Sequence, residues 1–318
     1  MISLKSNDVR NICIYGVGGV GGYFGSLIAE KFHNQHNVYF IARGDHKEAI
    51  CRGGLLLKKA GGKEEIRSYP TICTDSVNDI PVCDIIILCV KEYDLNNAVS
   101  QISRIADSDT LILPLLNGVD IYERIRKQLN YGKIFPSCVY VGTHIESPGV
   151  ISQNGGSCKI SIGRDPRFPD FYPELLLEIL NRASINFSWE QKVEIAIWTK
   201  YMFIASYGLV TAAYNKTLGE ILEDEKLSKI TNSVMREIKA ISEVKNIGLA
   251  PDAIQRSFLK AMEFPFETKT SFQRDVESKG KLNESDLFAG TIIRLGEEFA
   301  IPTPFTRLVF EALKAGLA

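Results

Sequence analysis

The chain has 318 residues, 45% apolar and 24% charged, the composition of a globular protein with room for two domains. Its formal net charge of −1 gives no basic excess with which to recruit nucleic acid or an anionic membrane surface. The seven cysteines are odd in number, scattered and never spaced as C-x-x-C, and the four histidines lack metal-ligand spacing, so neither a disulfide framework nor a metal site is expected.

The first ten residues, MISLKSNDVR, are polar and lack the apolar core of a signal peptide. No apolar run reads as long enough to cross a bilayer. With several cysteines inside predicted strands as small hydrophobes, the expectation is a cytoplasmic protein with reduced thiols and no membrane or nucleic-acid partner.

Residues 11–25, NICIYGVGGVGGYFG, read as a short buried strand running into a glycine-rich turn and a helix over about 21–33. Gly16, Gly18 and Gly21 form G-x-G-x-x-G at the seam. In that context Gly16 permits the tight turn, Gly18 lets backbone approach a pyrophosphate, and Gly21 lets the helix pack close to the strand. With Gly19 and Val20 between them, the free N–H groups and positive end of the helix would face phosphate. A second strand, Asn37–Arg43, ends about 20 residues on, where an NAD binder usually carries an acid for the ribose 2′-hydroxyl. Arg43 stands there instead, and a guanidinium suits a 2′-phosphate, so the cofactor expected is NADP(H). His46 and Lys47 would reinforce a basic pocket.

A hairpin is expected over 54–65. Continuous apolar runs at 84–90 (DIIILCV), 110–116 (TLILPLL) and 134–142 (IFPSCVYVG) read as strands buried on both faces. Residues 150–153 and 158–163 read as an antiparallel hairpin at a sheet edge. The pattern is a doubly wound α/β sheet. From about Trp189 it turns helical, with helices expected at 190–214, 222–246, 251–262, 271–277, 284–299 and 304–317. The expected domains are 1–188, a dinucleotide-binding Rossmann-type domain, and 189–318, an all-helical domain.

Ligands of such sheets bind beyond the carboxyl ends of the strands. Lys91 follows one strand and Asn117-Gly118 another, so both should overlook the cofactor. Lys91 would neutralise a substrate acid or contact the cofactor, and Asn117 would hold the nicotinamide or its ribose. A solvated lysine and a bare turn dipeptide remain the plain alternatives. In the helical half Lys200 interrupts the apolar stretch IAIWTKYMFIASYGLVTAAY, where it needs a cleft, a partner or a path to solvent. Ser271, Asp275, Glu284 and Asp286 surround a charged loop at 277–283, and their spacing alone does not separate them from surface polarity.

The ordered motifs GVGGVGG, IAR, VKEYD, LLNG, SPGVI, ISIG, IWTKY, TSFQRD and NESDLFAG resemble those of the ketopantoate reductases (2-dehydropantoate 2-reductases), over nearly the whole chain. The resemblance implies NADPH-dependent reduction of 2-dehydropantoate to pantoate in pantothenate biosynthesis, in a cleft between a Rossmann domain and a helical domain. It implies that Lys200 donates the proton to the ketone oxygen, that Glu284 binds a substrate hydroxyl and orients the lysine, and that Ser271 holds the substrate carboxylate. Asn117 and Lys91 become polar contacts to cofactor and substrate, and Arg43 the reader of the 2′-phosphate. The chain departs from the family at Ile204, Gly208 and Ala289, where members often have asparagine. A different 2-keto acid, an opine- or 3-hydroxyacid-type reaction, and a non-catalytic NADP(H)-binding regulator stay open as alternatives, as does a homodimer.

Overall fold

The computed structural model describes residues 9–278 and 282–317. The polar start of the chain and part of the loop expected at 277–283 lie outside the described residues. Two compact units are present. The first holds the described residues up to Leu116 together with Ile121–Val193, and the second holds Asn117–Asp120 and the described residues from Glu194 on.

The first unit opens with β1 (Asn11–Tyr15), α1 (Gly19–Phe32) and β2 (Asn37–Ile41). After α2 (Gly44–Gly53), β3 (Leu55–Lys59) and β4 (Glu64–Ser68) pair as the expected hairpin. There follow β5 (Ile72–Thr74), β6 (Ile85–Leu88), α3 (Leu95–Ile102), β7 (Leu111–Pro114), α4 (Ile121–Arg126) and β8 (Lys133–Ile134). Six strands make a parallel sheet in the order β5-β2-β1-β6-β7-β8. Strand order reverses at β1, which creates the switch point where such sheets bind ligands. Burial of all of Ile85–Leu88 explains why that strand is a continuous apolar run.

A second sheet joins β3 and β4 to β9 (Ser137–Ser147), β10 (Val150–Gly163) and β11 (Asn186–Glu190), with α5 (Glu174–Arg182) before the last strand. Two expectations are corrected here. The run 134–142 is not one strand: Ile134 ends β8, and Ser137 starts β9 in the other sheet, with Pro136 between them. Residues 150–153 and 158–163 are not two arms of a hairpin but parts of one strand, β10, whose antiparallel partner is β9. The ladder slips between Gln153 and Lys159, so the glycines there absorb extra residues within a strand and imitate a turn.

Helix α1 is held against both sheets at glycines. Toward the parallel sheet, a Cβ on Gly21 would lie 2.2 Å from the Gly16 carbonyl oxygen, and one on Gly25 would lie 3.2 Å from Phe40. Toward the second sheet, a Cβ on Gly22 would lie 2.5 Å from Ile151 Cγ1, and one on Gly19 would lie 2.7 Å from the Thr143 carbonyl oxygen. Around the helix, Ile14, Phe24, Ile28, Phe40, Ile151, Ile160 and Leu180 belong to one buried cluster.

The second unit is helical: α6 (Val193–Tyr214), α7 (Leu218–Glu223), α8 (Glu225–Val244), α9 (Ala253–Met262), α10 (Ser271–Glu277), α11 (Thr291–Glu298) and α12 (Pro304–Leu317), with a π-helical turn at Asp286–Gly290. The helix expected at 222–246 starts later, as α8, because the Asp224 carboxylate accepts the Leu227 N–H at 2.9 Å and caps it. Contrary to expectation, α6 is long and apolar enough, by length and composition, to cross a membrane. More than half of its most apolar window is buried, including Trp198, Tyr201, Met202, Tyr207 and Val210, and all-round apolarity is also what a core helix requires.

Asp165, two residues beyond β10, is completely buried and ties the two sheets' ends to α4. It accepts the Tyr122 hydroxyl at 2.7 Å, the Ile134 N–H at 2.7 Å, the Arg167 N–H at 2.9 Å and the Arg126 guanidinium. Arg126 is itself buried, so removing the acid strands a cation. Asp165→Ala is expected to lose about 3–5 kcal/mol in urea unfolding; a loss under about 1 kcal/mol contradicts this account.

Candidate functional site

The glycine turn hangs on the end of β2. Gly16 adopts φ +93°, a conformation that disfavours a side chain, and its N–H and that of Val17 both donate to the Ile41 carbonyl at 3.1 Å. Gly18 begins α1 with an extended backbone, φ −91° and ψ −153°, that any residue adopts. A Cβ on Gly18 would meet nothing within 4 Å. Its smallness therefore serves no contact within the protein, unlike that of Gly19 or Gly21. The first N–H groups of a helix lack intrahelical acceptors, and no acidic side chain occupies this first turn, which also holds the half-buried Val20. Thr143 Oγ1 is buried beside Gly19 without a hydrogen-bond partner. An open cradle, orphan N–H groups and a spare hydroxyl fit a pyrophosphate.

Arg43, at the start of α2, reaches across to Asp94, with Nη2 2.6 Å from Oδ2, and its side chain is 71% exposed. Asp94 ends a short 3₁₀ turn that follows the exposed Lys91, whose carbonyl accepts the Asp94 N–H at 3.0 Å. His46 does not join a basic pocket. Its Nδ1 accepts the Gly149 N–H at 3.0 Å, and burial holds its pKa below the usual imidazole value, so it is neutral at pH 7. Lys47 pairs with Asp75 at 3.0 Å and with Glu48 at 3.4 Å. Asp94 had no signal in the sequence beyond its place after β6, because its partner is 51 residues away.

In the helical unit, Lys200 and Asn117 come together: Lys200 Nζ donates to Asn117 Oδ1 at 2.7 Å. The half-buried ammonium is thus held on an amide oxygen. The next residue, Tyr201, is buried, and its hydroxyl lies 2.7 Å from the Leu287 carbonyl and 2.9 Å from that of Phe288. It fixes α6 to the π-helical turn, in which the Thr291 N–H bonds to the Asp286 carbonyl five residues back. Glu284, 5% exposed, stands just before this turn, and its carbonyl accepts the Phe288 N–H at 3.1 Å. Sequence reasoning missed Tyr201, since its role depends on carbonyls 86 and 87 residues away.

Ser271 is exposed at the start of α10, whose cap, Thr270, meets Thr211 Oγ1 at 2.9 Å. Asp286 is spent on a two-bond pair with Arg294, at 2.6 and 3.1 Å. Of the three positions that depart from the family pattern, Ile204 is half-buried, while Gly208 and Ala289 are buried. A Cβ on Gly208 would stand 3.5 Å from Phe272, whose ring packs edge-on against Phe288 at 5.0 Å. A methyl group at 208 would therefore make an ordinary contact with this aromatic ring.

A doubly wound dinucleotide-type domain joined to a helical unit that carries a fixed lysine defines the class of two-domain oxidoreductases. Within it, residues 12–167 match the ketopantoate reductase PanE/ApbA family and residues 192–317 match that family's C-terminal domain, so the chain belongs to this family of oxidoreductases. The 2-dehydropantoate 2-reductase of Mesorhizobium japonicum is 26% identical over 317 residues, spanning 92% of this chain and 93% of that protein. The fold is shared with a PanE/ApbA family ketopantoate reductase from Ralstonia eutropha, at TM-score 0.85 and 24% identity over 96% of this chain and 97% of that one. It is also shared with a D-mandelate dehydrogenase solved with NADH and anilino(oxo)acetate, at TM-score 0.83 and 21% identity over 96% and 97% of the two chains.

The glycines make a paired prediction. Gly18→Val should keep the wild-type melting temperature and lose NADPH binding in a fluorescence titration, because the added branches enter only the open cradle. Gly21→Ala should lower stability by about 1–3 kcal/mol, since its Cβ overlaps the Gly16 carbonyl. Unchanged NADPH affinity in folded Gly18→Val removes the phosphate from this loop.

Proposed function

We propose that the protein is an NADPH-dependent reductase of a 2-keto acid, with 2-dehydropantoate, reduced to pantoate for pantothenate synthesis, as the first candidate substrate. The observation that carries the proposal is the Lys200–Asn117 hydrogen bond, which fixes an ammonium in a unit matched by the family's C-terminal model. Gly16–Gly21 would hold the pyrophosphate and Arg43 the 2′-phosphate, with Lys91 near the same strand ends. When bound, the dinucleotide supplies a hydride to the keto carbon.

The chain's own groups do the rest. Hydride addition turns the ketone oxygen into an alkoxide. Lys200 Nζ stabilises the developing charge and transfers a proton to that oxygen, leaving a neutral amine. Asn117 Oδ1 orients the ammonium through its bond. Glu284 is proposed to bind a substrate hydroxyl and to assist the lysine, and Ser271 to bind the carboxylate. Seven free thiols support a cytoplasmic setting.

A second substrate reading has its own support. The half-buried Ile204 puts an apolar side chain where the family often has asparagine, which favours a more apolar 2-keto acid. NADPH oxidation across a panel of 2-keto acids, with 2-dehydropantoate included, separates the two by kcat/KM.

Lys200→Ala should retain NADPH affinity and lose roughly 10²–10⁴-fold in kcat. Glu284→Ala should raise KM and lower kcat together. Near-normal turnover in folded Lys200→Ala overturns Lys200 as the proton donor, whereas a wild type that binds NADPH and reduces no member of the panel leaves a non-catalytic dinucleotide-binding protein.

A further inference from the structure

The end of β1 is bridged by an ion pair. Arg43 comes from the end of β2 and Asp94 from the segment beyond β6, and both strands pair directly with β1. The pair therefore spans the switch point beside the glycine turn, which is itself bonded to Ile41 at the end of β2. Tyr15, the last residue of β1, lies within electrostatic range of both partners: burial chiefly raises its pKa, Arg43 lowers it and Asp94 raises it. The usual arrangement for NAD has an acid at the end of the second strand. Here that place is a base, and the acid arrives from the opposite side of β1.

We propose that Asp94 is a cofactor-specificity residue: it competes with the 2′-phosphate of NADPH for Arg43 and offers the ribose of NADH a carboxylate acceptor, so that the protein takes both dinucleotides. The proposal rests on the dinucleotide reading above. A 2′-phosphate dianion gripped by Arg43 would share that guanidinium with the Asp94 carboxylate, which sits 2.6 Å from it, and two anions drawn to one cation repel each other. The exposed ion pair itself contributes little, so Arg43 turns to the phosphate easily and the repulsion remains as the dominant effect. With NADH no phosphate is present. The 2′-hydroxyl then donates to Asp94 in a charge-assisted bond, while Arg43 holds the carboxylate in place.

The experiment measures NADPH and NADH dissociation constants by fluorescence titration of the wild-type protein, Asp94→Asn, Asp94→Ser and Arg43→Ala, with 2′,5′-ADP as competitor. Melting temperatures serve as the folding control. The wild type should bind both cofactors. Each Asp94 variant should tighten NADPH and 2′,5′-ADP by about threefold to tenfold, the scale of one screened charge near a dianion. NADH should weaken in the same variants, and the NADPH gain should shrink at high salt. Arg43→Ala should lose NADPH and keep NADH. If the wild type binds neither dinucleotide, the functional reading itself falls, and this proposal with it. If it binds NADPH but both folded Asp94 variants leave the ratio unchanged, or move it toward NADH, the Asp94 proposal alone is overturned.

Discussion

The close approach of α1 to two sheets at once is the constraint on which the first unit depends. Gly21 and Gly25 bring the helix down on β1 and β2, and Gly19 and Gly22 bring it against β9 and β10. A methyl group at Gly19, Gly21 or Gly22 would overlap its neighbours, and one at Gly25 would crowd Phe40, so the second sheet can close over the helix only because these positions are bare. The same clamp fixes the direction in which the N-terminus of α1 points. Gly18 is the exception within the motif: a Cβ there would meet nothing within 4 Å. The glycine motif thus contains two physical classes, those spent on packing and the one that leaves open space.

Much of the parallel sheet was legible because its strands are buried on both faces, and burial writes itself as uninterrupted apolar runs such as Ile85–Leu88. The second sheet was harder to read. Strand β9 is half exposed along its later residues, and β10 passes through the Asn154-Gly155-Gly156 stretch, so neither has the clean period that local reasoning needs. The break before α8 was readable in principle. Thr217 and Glu220 form a capping box and Asp224 is a second cap, yet the strong apolar periodicity on either side masks the join.

Of the candidate site, the residues that local context singles out are the glycines after β1, Arg43 at the end of β2, and Lys200 in an apolar helix. Tyr201 and Asp94 are not among them, because each is engaged by a partner distant in sequence, nor is Thr143, whose hydroxyl is brought beside Gly19 only by the fold. Tyr201 looks like one more aromatic residue of α6 until its hydroxyl is found on the carbonyls of the π-helical turn. Burying that hydroxyl without acceptors would be unfavourable, and the turn presents two carbonyls in the same place. The neighbour of the proposed acid thereby holds the segment that begins just after Glu284.

The cations singled out in each unit follow one rule. Arg43 lies on Asp94, Lys47 on Asp75 and Lys200 on Asn117, so each cation has an oxygen partner before any ligand arrives. The partners differ in kind, and the difference has consequences. A carboxylate partner such as Asp94 must be displaced or tolerated when an anion binds the same cation. An amide partner carries no charge, so Asn117 orients the ammonium without neutralising it. In the proposed reaction, an alkoxide forming beside Lys200 would meet an ammonium whose bond to Asn117 takes away none of its charge, whereas a carboxylate at position 117 would offset part of that charge and hold back the proton.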